Sequence, residues 1–387
     1  MTTKRFDILW KCSEAFADQK PLPDGSTLIA ASDGFHFSKD AIQIFIRMAA
    51  ANGVRRLWIG ENGLLSTPAS SVVIREKIGP DGVKATCAFI FKACHNPDGP
   101  CEDFGVKLLM ENGGPPADIF LDVIFDRSKS LLYYAIAYQQ LDVDLSKLGV
   151  TTFKGPIEEF EVEIISSTDD YLKLTKSIFV FRLIKQLISS PNYDGLNGVS
   201  GVYAKRIFIE ELGADESSLL NCDPMEDFGG CPSNLNLTYT KELAARMGLG
   251  KLCELNPPEF GAAVDADGDN YIIFGKNFFV KPSDSIAIIA ANAKWAIPYF
   301  AAGLKGFART ITTSAALNEV AKELHVICHE VQNDQPKHTA DLMDAEACSI
   351  YGEENFSIGS VNIREKDGMW GVLAWLSILA LEKQVYT

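Results

Sequence analysis

Residues 26–60 read STLIAASDGFHFSKDAIQIFIRMAAANGVRRLWIG, and this stretch decides the fold. Ser26–Ala31 is an apolar run of strand length, closed by the turn signal Ser32-Asp33-Gly34. Beyond it, Ala41, Ile42, Phe45, Ile46, Met48 and Ala49 recur at the spacing of one helical face, predicting a helix over Ser38–Ala51. Ser38 is the expected N-cap, and Asn52-Gly53 the stop. Arg55–Gly60 is then the next strand. Strand, helix and strand on short connections make the βαβ unit of an α/β domain with a mainly parallel sheet.

Outward from this unit the pattern continues. Thr67–Lys77 reads as a helix with Pro68 in its first turn, and Ala88–Phe91 as a short buried strand. The strand runs into His95-Asn96-Pro97-Asp98-Gly99-Pro100, a loop composition. Gly113-Gly114-Pro115-Pro116 makes a turn, a helix follows through about Arg127, and Phe160–Ser166 alternates as a half-buried strand. Helices are expected over Asp169–Ile188 and Val202–Leu212, a buried strand over Phe260–Val264, and further helices over Ser283–Ala293, Ala315–Leu324 and Trp370–Leu381. A boundary after Phe160–Ser166 and another near Pro282 divide the chain into three successive α/β units.

The 387 residues are 47% hydrophobic and 22% charged, enough apolar material for several cores. A net charge of −15 argues against nucleic acid and anionic membrane as partners, since both need a basic face. Nine cysteines show no paired spacing, which points to free thiols in a reducing compartment. The N-terminal MTTKRFDILWKCSEAF lacks a signal-peptide core, and Ile286–Ala291 and Val372–Leu381 are too short or too interrupted to span a bilayer. A cytoplasmic protein is expected.

Three clusters invite chemistry. Cys94 and His95 head the loop after the buried strand, where α/β proteins place reactive groups. As sequence neighbours they point apart on an extended chain, so a cysteine-hydrolase dyad is rejected, and a small buried thiol remains the plain alternative. Asp265, Asp267 and Asp269 alternate just past a strand and offer only hard oxygen donors, the set that suits Mg²⁺. An EF-hand is excluded because Gly268 comes too early and Lys276 stands where the bidentate glutamate belongs. Set against the solvated acidic turn that such spacing usually makes, the preceding buried strand favours the metal. The Glu353-Glu354-Asn355 group, between Gly352 and Gly359, has the makings of a sugar-hydroxyl site, though most such clusters are solvated loops.

In this order, SDGFHFSKDAIQ (32–43), AAANGVRRLWIG (49–60), HNPDGPCEDFGVK (95–107), FGAAVDADGD (260–269), GEENF (352–356) and IREKDGMWGVLAWLSILA (363–380) resemble segments of the α-D-phosphohexomutase superfamily, in its eukaryotic, plant-type phosphoglucomutase branch. The resemblance implies three consecutive α/β domains of phosphohexomutase type, with mixed, mainly parallel sheets flanked by helices. They would be 1–164 with a phosphoserine loop, 165–281 with a Mg²⁺ loop and 282–387 with a sugar-binding loop, the family's fourth domain being absent. It also implies interconversion of glucose 1-phosphate and glucose 6-phosphate through glucose 1,6-bisphosphate. One Mg²⁺ per chain on Asp265, Asp267 and Asp269 would neutralise the moving phosphoryl group. His95 and Lys107 match positions near the phosphoserine, Glu353 and Asn355 fall in the sugar loop, and Arg309 with Thr313 matches a segment lining the site. The expected partner is a sugar phosphate, and the expected state a monomer.

Several residues depart from the family pattern. Cys94 stands where the family has its nucleophilic serine, Lys92 where it has threonine, Phe35 where it has arginine, and Asn270 where an arginine follows the aspartates. The strand before Gly198 looks shortened to Asn192–Leu196. These departures imply an impaired or inactive mutase. The alternatives are a regulatory module binding sugar phosphate and Mg²⁺, or a working enzyme that phosphorylates Cys94.

Overall fold

The computed structural model describes residues 26–93, 104–138, 141–154, 159–187, 192–230, 235–238, 240–250, 253–332 and 336–385. The chain forms two compact units that divide at Asp170/Tyr171.

The first unit is built on the expected βαβ. Strand β1 (Thr27–Ser32) lies parallel to β2 (Arg56–Leu64) and to β3 (Ala85–Lys92). With β4 (Gly105–Leu109), β5 (Gly149–Lys154) and β6 (Glu159–Ile165) they form one six-stranded sheet, ordered β4-β3-β1-β2-β6-β5. The edges are antiparallel and the centre parallel, so the sheet is mixed. Leu28, Ala30, Leu57, Ile59, Phe89 and Phe91 face one core with helix α1 (Ser38–Ala51). Ile29, Ala31, Trp58 and Ala88 alternate to the other face, also buried, and helix α2 (Thr67–Glu76) packs on β1 and β3. Burial on both faces is why these strands read as continuous apolar runs.

Helix α1 buries the expected face, but its N-cap is Phe37, in the left-handed region at φ 64° with no side-chain cap. Ser38 is already helical. Its N–H donates to the Phe35 carbonyl at 3.0 Å, so the tight turn 33–37 sets the entry and no cap is needed. Helix α3 (Asp118–Ser130) completes the first unit.

The second unit holds two sheets. Helix α4 (Asp169–Ile178) breaks before α5 (Phe181–Leu187), where one helix was expected. The expected helix at 202–212 begins as α6 (Ser200–Ala204) and continues as a π-helical turn over Lys205–Glu211. Strand β7 (Asn192–Asp194) is short, yet it pairs on both sides, with β8 (Leu219–Leu220) and β9 (Phe260–Val264). The short strand therefore does not break the sheet. Strands β10 (Tyr271–Gly275) and β11 (Phe278–Val280) finish it in the order β11-β10-β9-β7-β8, and α7 (Lys241–Arg246) lies against β7 and β9.

The four-stranded sheet runs β13-β12-β14-β15, from β12 (Gly306–Thr310), β13 (Ile327–Val331), β14 (Ile350–Gly352) and β15 (Ile358–Ser360). Helices α8 (Pro282–Ala296), α9 (Ala316–Glu323) and α10 (Pro336–Asp344) belong with it. The last helix, α11 (Gly368–Val385), buries Trp370, Val372, Leu373, Ala374 and Leu376 completely, which is why its sequence is apolar all round. Among the described residues no helix is long and apolar enough to cross a membrane.

Candidate functional site

In the first unit the sheet prepares a loop. Antiparallel pairing of β3 and β4 extends to Lys92 opposite Gly105, so both ends of the 93–104 connection are held side by side. Asp33, buried at the end of β1, fastens one end: its Oδ1 accepts from Phe35 N and its Oδ2 from Ala93 N, each at 3.1 Å. Sequence reasoning gave Asp33 only a turn. Its signal was the position, the first residue past a central parallel strand. Phe35 is 2% exposed and packs near Phe104, which in turn neighbours Phe91, so this position is apolar core. Lys107 lies on β4 opposite Ile90, half-buried. Cys94 and His95 lie outside the described residues.

In the second unit the acidic turn links β9 to β10, with Tyr271 paired to Val264. Asp265, Asp267 and Asp269 are all buried, at 0%, 1% and 5% exposure. The turn is pinned from outside. Val199 N donates to the Ala266 carbonyl at 2.8 Å, and Gly368 N to the Gly268 carbonyl at 2.9 Å. Gly198 permits the first contact, because a Cβ there would sit 2.1 Å from Ala266 Cα.

Asn270 closes the turn from inside. Its backbone N–H donates to Asp265 Oδ1 at 2.9 Å, and its side-chain Nδ2 to Asp265 Oδ2 at 2.6 Å. Its own Oδ1 accepts from Ser357 Oγ, which fixes the orientation of the amide. Both oxygens of Asp265 are thus engaged by one residue. Among the described residues, no group of three or more His, Cys, Asp or Glu is gathered to hold a metal ion. The three aspartates share the turn and its burial but do not converge as their spacing suggested. Their chemistry suits Mg²⁺; their arrangement here does not fit it.

The Gly352–Phe356 segment lies between β14 and β15, tied to the acidic turn by Tyr271 N donating to the Phe356 carbonyl at 2.9 Å. Its two glutamates are held by different partners. Glu353 receives Lys366 Nζ at 2.9 Å. Glu354 Oε2 accepts from Thr310 Oγ1 at 3.2 Å and Thr313 Oγ1 at 3.0 Å. Burial pushes the Glu354 carboxyl up, but the threonine hydroxyls and its own backbone outweigh burial and leave it below the usual value. Asn355 stands exposed at the tip.

Arg309 is 6% exposed and wholly engaged in support. Its Nε donates to Asn318 Oδ1 at 2.6 Å, its Nη1 to the carbonyls of Thr310 and Thr313 at 3.1 and 3.0 Å, and its Nη2 pairs with Glu330. The guanidinium therefore shapes the Thr310–Thr313 turn that grips Glu354. Behind the loop, Asp367 is completely buried and accepts the Tyr171 hydroxyl on both oxygens, at 3.0 and 2.8 Å, and Trp370 N at 3.0 Å. Burial, working against those bonds, pushes its carboxyl up to about 7. No pattern in the sequence pointed to the Tyr171 partner, which comes from far along the chain.

Two family models match: phosphoglucomutase/phosphomannomutase α/β/α domain I over residues 6–134, and domain III over residues 282–386. The crystal structure of parafusin from Paramecium, an exocytosis-sensitive phosphoprotein and phosphoglucomutase in its open form, is 38% identical with a TM-score of 0.91. The match covers 98% of this chain and 67% of that one. The chain belongs to the phosphoglucomutase/phosphomannomutase family. The cytoplasmic phosphoglucomutase of Solanum tuberosum is 59% identical over 366 residues, 93% of this chain. The chain spans 63% of that relative's length. More distantly, an Aspergillus fumigatus N-acetylphosphoglucosamine mutase in complex with glucose 1,6-bisphosphate shares the fold at a TM-score of 0.50 and 16% identity, covering 97% of this chain and 81% of that one. The mixed α/β architecture, with three sheets flanked by helices, is that of the family.

Proposed function

We propose that this chain is a cytoplasmic, monomeric, sugar-phosphate-binding member of the family in which interconversion of glucose 1-phosphate and glucose 6-phosphate is impaired. The observation that carries this reading is the engagement of both Asp265 oxygens by Asn270. The family reaction moves a phosphoryl group against charge that one Mg²⁺, with glucose 1,6-bisphosphate as activator, helps to balance. With Asp265 turned to an amide, the turn is not set to receive that ion. The acceptor position adds to the impairment, because Cys94 would store phosphate as a labile thioester of phosphoric acid where serine forms a stable ester.

Recognition of the sugar falls to the Gly352–Phe356 loop. The Lys366–Glu353 pair offers a donor and an acceptor side by side, and Asn355 adds an amide at the tip. Thr313 and Arg309 act from behind, by fixing Glu354. Lys107, with His95, is assigned to the phosphate end of the first unit. The three sheets are taken as three domains, over 1–164, 165–281 and 282–387.

The test is turnover of glucose 1-phosphate by the purified chain with Mg²⁺ and a trace of glucose 1,6-bisphosphate, beside calorimetric binding of the bisphosphate. Binding with turnover at least about a thousand-fold below an ordinary mutase is expected, the scale of losing a group that acts in the transition state. Ordinary turnover that disappears in Cys94→Ala overturns the proposal.

A further inference from the structure

The acidic turn combines donors suited to a hard cation with an arrangement that does not gather them, and one residue accounts for the difference. We infer that Asn270 is a latch on the turn, setting its divalent-cation affinity by occupying the carboxylate of Asp265. The inference rests on the family reading only in taking the turn as the cation's place.

The latch has three parts. The amide Nδ2 is 2.6 Å from Asp265 Oδ2, a short contact to a carboxylate oxygen. The backbone N–H of the same residue holds Oδ1 at 2.9 Å, so both oxygens face one partner. The amide cannot turn away freely, because Ser357 Oγ occupies its Oδ1 and Asn270 also forms a β-bridge with Ser357. A cation that takes Asp265 as a ligand must displace the Nδ2 bond or share its oxygen with it. Either course lowers affinity relative to a turn in which that oxygen is free.

The geometry also couples two loops. Ser357 closes the segment that carries Glu353, whose N–H donates to the Ser357 carbonyl at 3.0 Å. Opening Asn270 toward a cation therefore loosens Ser357 and, through it, the Glu353 end of the sugar loop. Cation entry and movement of that loop are one event.

The experiment is Mn²⁺ binding to the full chain without sugar phosphate, read by loss of the free-ion electron paramagnetic resonance signal. The proteins are wild type, Asn270→Ala, Ser357→Ala and Asp265→Asn/Asn270→Ala. Asn270→Ala is expected to bind Mn²⁺ about ten-fold tighter or more, since it removes a charge-assisted bond from the ligand. Ser357→Ala should give a smaller gain, and the double variant should lose the gain altogether. Circular-dichroism melts establish that each variant is folded. A folded Asn270→Ala that binds no tighter than wild type overturns the latch, as does a gain that survives in the double variant. Turnover is measured separately, so an active wild type would defeat the proposed function while leaving the Mn²⁺ comparison to decide the latch.

Discussion

Asp367→Asn should stabilise this protein at slightly alkaline pH, although it removes a carboxylate that accepts from the Tyr171 hydroxyl and from Trp370 N. The carboxyl is buried completely, and burial raises it from an ordinary value of 3.8 to about 7. A carboxyl with a raised folded value binds more protons folded than unfolded, so stability falls as pH rises. The contribution is fully present below 3.8, declines between 3.8 and about 7, and is gone above that. The interval is about 3 pH units, and at 1.36 kcal/mol per unit the cost of ionising Asp367 in place is about 4 kcal/mol. Asparagine cannot ionise, and its carbonyl still accepts from Trp370 N and the Tyr171 hydroxyl. Allowing about 1–2 kcal/mol for poorer hydrogen bonds leaves a net gain of about 2 kcal/mol at pH 8. Urea unfolding followed by tryptophan fluorescence at pH 5, 6, 7 and 8 measures it. The two proteins should draw level near pH 5, with wild type the less stable at pH 8 and the difference growing between. A variant that is less stable at pH 8 would show that the bonds from Tyr171 and Trp370 hold the ionised form at no cost despite its burial.

Three further outcomes follow from particular contacts. Gly198→Ala puts a Cβ 2.1 Å from Ala266 Cα, a backbone atom that cannot step aside, so a loss of about 3 kcal/mol or more is expected in a thermal melt. Arg309→Lys keeps the charge but loses the fork that joins Asn318, two carbonyls and Glu330, and should cost about 2–3 kcal/mol by urea unfolding, against about 1 kcal/mol or less for Glu330→Gln at the half-exposed end. Burial pushes the thiols of Cys222 and Cys348 up to about 12, so peptide mapping after native alkylation at pH 8 should find both unlabelled and the exposed Cys253 labelled.

The sheets and helices were legible wherever one periodicity dominated. The βαβ at 26–60 read correctly because its strands are continuous apolar runs, buried on both faces, and the helix between them repeats its apolar residues at helical spacing. The readings failed where local preference met a neighbouring turn. Ser38 is a favourable cap by composition, but the left-handed Phe37 had already set the entry to the helix. The run 169–188 is amphipathic throughout, and no proline or glycine in it announces the break between Ile178 and Phe181. Periodicity reports which face is buried and says little about where a helix bends.

The site was legible as a set of positions and illegible as a set of contacts. The alternation of Asp265, Asp267 and Asp269 just past a buried strand gave their turn, but not their burial, since a hairpin turn of acidic residues ordinarily faces water. Whether Asp265 is open to a ligand depends on what residue 270 does with its side chain. The asparagine at 270 has the reach to cap Asp265, as the 2.6 Å Nδ2 bond shows. Asparagine in place of the family's arginine therefore does two things at once: it removes a positive charge from the neighbourhood of a phosphate, and it supplies an internal partner for the carboxylate. From sequence only the first is visible. The second explains how Asp265 is tolerated in its buried position, since a carboxylate bonded on both oxygens is cheaper to bury than a bare one. The latch is one of several contacts that hold the turn, so a substitution that frees Asp265 Oδ2 for a cation leaves the turn to the Val199 and Gly368 bonds and to the backbone of residue 270.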